Sequence, residues 1–198
     1  MPLLDMVWKL RPALVATLSL GFLGLACSSG VPDGLAVSPS TPAVRVGESL
    51  VVASQPLEDL AAEPEWEIQE LHGGGFTHSR GFSITYVAPS AAGLYHLIAR
   101  APRPDGTRMK QIVEVRVLAD PLIEPASASV SPGGSRTFAA RMRGLPRNTV
   151  TWSVDEPDGG TISRDGQYLA PAKPGTYHLT ATSTLDPTVS ATTTVRVE

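Results

Sequence analysis

The chain has 198 residues, 16 of them Lys or Arg and 19 Asp or Glu, for a formal net charge of -3. Charged residues at 18% and a hydrophobic set at 42% exclude a disordered polyelectrolyte and a multispan membrane protein, and the acidic balance argues against a nucleic-acid partner, whose footprint is a basic patch. The single cysteine, Cys27, rules out an intrachain disulfide, so the fold must be held by core packing.

The chain opens with an address. Lys9 and Arg11 precede an uncharged run from Ala13 to Ala26, 14 residues long, which suits a signal h-region and is short for a bilayer span. The run ends at Leu25-Ala26-Cys27-Ser28-Ser29-Gly30. This resembles a bacterial lipobox, with small Ala26 before the cut, although Gly24 stands where the pattern usually has Leu and Leu23 comes one place early. The resemblance implies a signal peptide over 1–26, cleavage before Cys27, acylation of Cys27 by palmitate-type chains, and a tether over 27–34. Ser28 is not the Asp associated with inner-membrane retention, so the outer membrane is the expected destination. Several acyl chains, at ~0.8 kcal/mol per buried methylene, anchor a protein stably.

Beyond the tether one pattern occurs twice. Trp66 lies 19 residues after Gly47, and Trp152 lies 19 after Gly133. Tyr86-Val87-Ala88-Pro89 is matched by Tyr168-Leu169-Ala170-Pro171. Gly93-Leu94-Tyr95-His96-Leu97-Ile98-Ala99 is matched by Gly175-Thr176-Tyr177-His178-Leu179-Thr180-Ala181, and Val115-Arg116-Val117 by Val195-Arg196-Val197. Ordered matches of this kind mark an internal duplication. The repeats are expected over 35–118 and 122–198, with a short, Pro-containing and therefore semi-rigid linker over 119–121.

Each repeat reads as strands. Phe138, Ala140 and Met142 alternate with polar or small neighbours, as do Val150, Trp152 and Val154, and again Tyr177, Leu179 and Ala181. Period-two alternation gives one buried and one wet face, as in antiparallel sheets. Asp158-Gly159-Gly160, Asp165-Gly166 and Pro174-Gly175 supply tight turns. Glu58 to Glu63 could form at most one helical turn. The stretch from Val150 through Trp152, Gly159-Gly160, Ile162, Tyr168-Leu169-Ala170-Pro171 and Tyr177 to Ala181 resembles the bacterial immunoglobulin-like domain family, group 2 type. The first repeat resembles it less closely, since its Glu67 to Gly75 segment reads as longer. The resemblance implies an all-β chain of two tandem immunoglobulin-like β-sandwiches. In antibody-type domains a cysteine lies two residues after the corner tyrosine; here Leu179 takes that place, faced by Phe138 or Ala140. The expected structural core is Trp66, Tyr95, Leu97, Phe138, Trp152, Tyr177 and Leu179.

Candidate chemistry is sparse. His96 and His178 occupy equivalent positions and should face outward. His72 and His78 flank a Gly-rich loop but lack a third zinc ligand. Asp155, Glu156 and Asp158 share a loop, yet calcium needs about six to eight oxygens. Ser79 beside His78 and Ser163 near Asp165 are sequence neighbours, whereas a catalytic triad is a spatial arrangement. Gly73-Gly74-Gly75 lacks the Lys and helix of a phosphate loop. No catalytic residue, cofactor or metal is therefore assigned. The expected function is a non-catalytic cell-envelope lipoprotein whose sandwiches are a structural or protein-interaction module. The alternatives are a surface adhesin or carbohydrate-binding module using loops such as Glu70 to Gly81, and an accessory subunit of an envelope enzyme or secretion assembly. The expected partners are the membrane, through the lipid anchor, and another envelope protein or a surface glycan.

Overall fold

The computed structural model describes residues 35–56 and 60–198. The signal segment 1–26, Cys27, the tether 27–34 and part of the expected Glu58–Glu63 turn lie outside those residues.

Among the described residues, alternating side chains and Gly or Pro punctuation place eight strands in the first repeat: β1 (Val37–Ser38), β2 (Ala43–Arg45), β3 (Ser49–Ser54), β4 (Glu65–Ile68), β5 (Gly75–Phe76), β6 (Ser83–Val87), β7 (Gly93–Pro102) and β8 (Arg108–Leu118). They form two sheets, in the orders β1-β3-β6-β5 and β2-β8-β7-β4. In immunoglobulin lettering this is A-B-E-D facing A′-G-F-C. The second repeat follows the same plan with β9 (Asp120–Glu124), β10 (Ser127–Val130), β11 (Ser135–Thr137), β12 (Ala139–Arg143), β13 (Val150–Val154), β14 (Thr161–Ile162), β15 (Gln167–Leu169), β16 (Gly175–Ser183) and β17 (Ser190–Val197). Its A′-G-F-C sheet is β10-β17-β16-β13, and its other layer is built from the pair β12-β9 and the trio β11-β15-β14. The interruption between β11 and β12 is Phe138, whose N–H turns aside to the Gly166 carbonyl at 2.8 Å.

Pro39 and Pro125 follow the two A strands. Proline has no N–H for a ladder, so pairing with the first sheet stops there. The chain then joins the opposite sheet, where β2 runs parallel to β8 and β10 parallel to β17. The chain is thus all-β, with two immunoglobulin-like sandwiches in tandem.

Each sandwich has its own apolar core. The first gathers Val52, Trp66, Ile84, Tyr86, Leu97 and Val115. The second gathers Phe138, Met142, Tyr168, Tyr177, Leu179 and Val195. Trp152 is only partly buried and packs on the edge of that second cluster, whereas its counterpart Trp66 is buried. Tyr95 is likewise partly buried against the first core, and Tyr177 is buried.

The repeats meet at a tighter junction than the sequence suggests. Asp120 and Pro121, read as linker, are the first residues of β9, paired with Arg143 and Met142. Ala119 alone separates β8 from β9. A proline is tolerated there because β9 is an edge strand. Asp120 is bonded from both sides: Arg45 of the first repeat donates to Oδ1 at 3.2 Å and Arg143 of the second to Oδ2 at 2.6 Å. The Ala92 N–H donates to the Gly144 carbonyl at 2.9 Å. Gly144 has φ +94, and an added Cβ would lie 2.9 Å from Val46 Cγ1 and 3.1 Å from Ala119 Cα. The absence of a side chain at this position is what lets the two backbones approach.

Candidate functional site

The polar chemistry of both repeats is concentrated where the C strand turns out of its sheet. After β4 the chain reverses through Glu70-Leu71-His72-Gly73, and after β13 through Glu156-Pro157-Asp158-Gly159. Both turns close with a Gly N–H donating to the Glu carbonyl at 3.0 Å. They place Glu70 beside His96 of β7, and Glu156 beside His178 of β16. In the first pair the His96 N–H donates to Glu70 Oε2 at 2.9 Å, and ring Nδ1 lies 2.5 Å from Oε1. In the second the corresponding distances are 2.9 and 2.6 Å. Each carboxylate thus grips the backbone and ring of one histidine and ties the C-strand turn to the F strand. Both histidines do lie outside the cores, but as bonded framework.

These bonds shift the carboxylates. For Glu70, burial raises the pKa, and bonds from the His96 amide and ring outweigh it, leaving the group below its ordinary 4.5. For Glu156, the His178 ring and then the His178 amide lower it against a smaller burial effect. A carboxylate with a depressed folded-state pKa adds stability that is present above its unfolded pKa and lost as pH falls through the folded value. Glu156→Ala is therefore expected to cost the second sandwich roughly 1–2 kcal/mol at pH 7, below the full range for hydrogen bonds to charged groups because the pair is partly exposed to solvent. That loss should shrink as pH falls through the folded-state value and the wild-type carboxylate takes up its proton; urea melts at neutral and at acid pH measure the difference.

A buried tyrosine completes each turn. Tyr86 donates its hydroxyl to the Gly73 carbonyl at 2.6 Å, and Tyr168 donates to that of Gly159 at 2.6 Å. Burial pushes both phenols up from their ordinary value. A second tyrosine in each repeat forms a corner: Tyr95 donates to the Ala91 carbonyl and Tyr177 to that of Lys173, both at 3.0 Å. Sequence reasoning quoted Tyr86 and Tyr168 as repeat markers without placing them in the core, and it missed the Glu pair. The signal for the latter was present: Glu70 and Glu156 each follow their tryptophan by four residues.

The first repeat does differ from the second, but not where its length difference was expected. Gly75 and Phe76 pair with Val87 and Tyr86 as Thr161 and Ile162 pair with Leu169 and Tyr168. The Glu67–Gly75 segment is therefore no longer than its counterpart. The extra residues lie just beyond, among His78 to Ser83, and they run along the outer edge of β4. There the Trp66 N–H donates to the Ser79 carbonyl at 2.7 Å, the Gly81 N–H to the Pro64 carbonyl at 2.9 Å, and indole Nε1 to the Gly81 carbonyl at 3.0 Å. Ser79 serves here through its backbone. His78 bonds Thr77 Oγ1 at 3.1 Å and the Ser83 carbonyl at 2.8 Å.

Beside this covered edge is an open cleft of about 490 Å³ lined by Glu65, Arg80, Arg100 and Arg108, among others. Arg80 is paired with Glu65, and Arg100 with Glu67 at 2.5 Å. In the acidic loop of the second repeat, Asp155 Oδ2 accepts from Thr180 at 3.1 Å and Glu156 is held by His178. Among the described residues no group of three or more His, Cys, Asp and Glu side chains gathers to hold a metal.

Strand order and corner tyrosines define the class: tandem immunoglobulin-like sandwiches. No family model matches the chain. The mouse cell surface glycoprotein MUC18 is 25% identical over 134 residues, covering 64% of this chain and 20% of that protein. The chain thus spans about a fifth of that relative's length. Among solved structures, the insect immune protein hemolin aligns with 88% of this chain and 48% of its own, at 18% identity and a TM-score of 0.47. A C-terminal fragment of intimin, in complex with the intimin-binding domain of its translocated receptor, aligns with 82% of this chain and 62% of its own, at 15% identity and a TM-score of 0.41.

Proposed function

We propose that the chain is a non-catalytic lipoprotein of the cell envelope, anchored through Cys27, whose tandem sandwiches act as an interaction module. The observation that supports this best is the duplicated bonding of its candidate reactive groups. His96 and His178 are gripped by Glu70 and Glu156, the turn carbonyls are bonded by Tyr86 and Tyr168, and each use recurs in both repeats. Groups bonded identically in two copies serve the framework common to both. The surfaces then remain for binding, and the Asp120 pairing with Arg45 and Arg143 presents the two sandwiches as one piece. The segment before Cys27, with its basic start and apolar run, supports export; the Ser28 context supports the outer membrane.

The test is recovery of the tagged chain from solubilised envelope membranes after mild cross-linking. A stoichiometric protein partner is the expected result. Retention on glycans with no protein partner would favour a carbohydrate-binding module and overturn this reading.

A further inference from the structure

The two A′-G-F-C sheets end differently at their C-strand edges. An exposed strand edge templates further strand pairing, and folded proteins protect such edges with charge, proline, brevity or a covering segment. The edges β1, β5 and β14 are two residues long. β2 follows Pro42 and contains Arg45, β9 carries Asp120, Pro121 and Glu124, and β10 lies between Pro125 and Pro132. β4 carries Glu65 and Glu67 and is covered by residues 79–81. β13, Val150-Thr151-Trp152-Ser153-Val154, has none of these devices.

Its orientation makes the edge usable. The Asp155 N–H bonds the His178 carbonyl and the Thr184 N–H bonds the Thr149 carbonyl. Alternation along an antiparallel ladder then directs the backbone groups of Thr151 and Ser153 toward β16, and those of Val150, Trp152 and Val154 outward. In the first repeat the equivalent outward group, the Trp66 N–H, is taken by the inserted segment, which also bonds the indole and leaves Trp66 4% exposed. The second repeat lacks those residues, and its loop turns back through Gly166 to Phe138 instead. Trp152 stays partly exposed. The first repeat therefore shows, within one chain, what a strand added to this edge does.

We infer that β13 is a self-association edge, at which two copies of this chain pair antiparallel about Trp152 to join their sheets. The sequence suits a two-fold axis. Val150 falls opposite Val154 of the second copy, Thr151 opposite Ser153, and Trp152 opposite itself, so no charge is brought against a like charge. The outward groups of Val150, Trp152 and Val154 pair with one another, and an interface of one patch with itself is the isologous contact of a two-fold dimer. Just beyond the strand ends, the exposed Arg147 of one copy falls opposite the turn that carries the exposed Asp158 of the other, and the attraction occurs twice by symmetry.

In this register Thr151 and Ser153 of the two copies form a non-hydrogen-bonded pair, whose Cα separation of roughly 4.5 Å permits a disulfide. Two differently tagged full-length chains, one Thr151→Cys and one Ser153→Cys, are co-expressed and mildly oxidised. The expected result is a reducible mixed-tag dimer that is absent when both chains carry Thr151→Cys and when both are wild type. No mixed-tag dimer, an equal yield from the wild-type pair, or cross-linking to a different protein in place of the second copy would each overturn the inference. A second measurement uses exposed positions that leave the core intact. A chain carrying both Thr151→Lys and Ser153→Lys should halve in light-scattering mass while keeping its β-type circular dichroism, and mixing it with a Thr151→Glu, Ser153→Glu chain should restore the dimer. A wild-type chain of monomer mass, or a lysine variant that stays dimeric, contradicts it.

Discussion

Tyr168→Ala is expected to remove about 3–5 kcal/mol from the second sandwich, the usual cost of truncating a fully buried aromatic. That is comparable to the whole stability of a small domain, so the variant should leave the second repeat unfolded or close to it at 37 °C. Two losses combine. The ring lies 6.4 Å from that of Phe138, in an edge-on contact at the centre of the core. The hydroxyl also satisfies the Gly159 carbonyl in the turn that carries Glu156. Tyr168→Phe separates the two, keeping the ring and leaving the carbonyl unpaired, for a smaller cost of roughly 1–2 kcal/mol. Denaturant melts of wild type and both variants should rank in that order. Equal melting of Tyr168→Ala and wild type would show that the residue is not in the core.

Gly160→Ala is expected to cost at least about 2 kcal/mol, through left-handed backbone strain and overpacking together. Gly160 has φ +91, and a Cβ there would stand 2.2 Å from the Leu169 carbonyl oxygen and 3.1 Å from Pro171. Both obstacles belong to the backbone or a proline ring, so neither can swing away. Gly74→Ala should behave alike in the first repeat, where φ is +104 and the Val87 carbonyl lies 2.3 Å away. By contrast, Gly133 also has positive φ, +72, but open space around its Cβ, so Gly133→Ala should incur only the conformational part. Comparing the melts of these three variants isolates the steric contribution.

Strands were legible in the sequence because a sheet with one wet face writes a period of two into it. Phe138 and Leu179, which lie on that pattern, and Leu97, the repeat counterpart of Leu179, are each at most 2% exposed. The duplication was legible because paired landmarks recur in order. Pairing across the fold was not. Nothing local shows that Glu156 meets His178, since 22 residues separate them and the contact depends on the path of the intervening turn. Trp66 and Trp152 carry the same sequence signature, yet only one is buried, because cover comes from a segment 13 to 15 residues away that the second repeat does not contain. Pro121 misled in the other direction: it reads as linker, but proline is compatible with the free side of an edge strand.

The duplicated framework also explains how such small sandwiches stand without a disulfide. The position that antibody-type domains give to cysteine holds Leu97 and Leu179, both fully buried. The carboxylate–histidine bond then fixes the C-strand turn to the neighbouring F strand, and the tyrosine hydroxyl fixes it to the facing layer. Stability should accordingly be insensitive to reducing agent and sensitive to acid.

The proposed lipid anchor commits to one atom, the sulfur of Cys27. Cells grown with a clickable fatty-acid analogue should label the wild-type chain and leave Cys27→Ala unlabelled. Intact mass of the membrane-extracted protein should correspond to a chain beginning at acylated Cys27. An unlabelled wild-type chain that starts at another residue, or one that retains residues 1–26, would contradict the anchor and with it the envelope role proposed here.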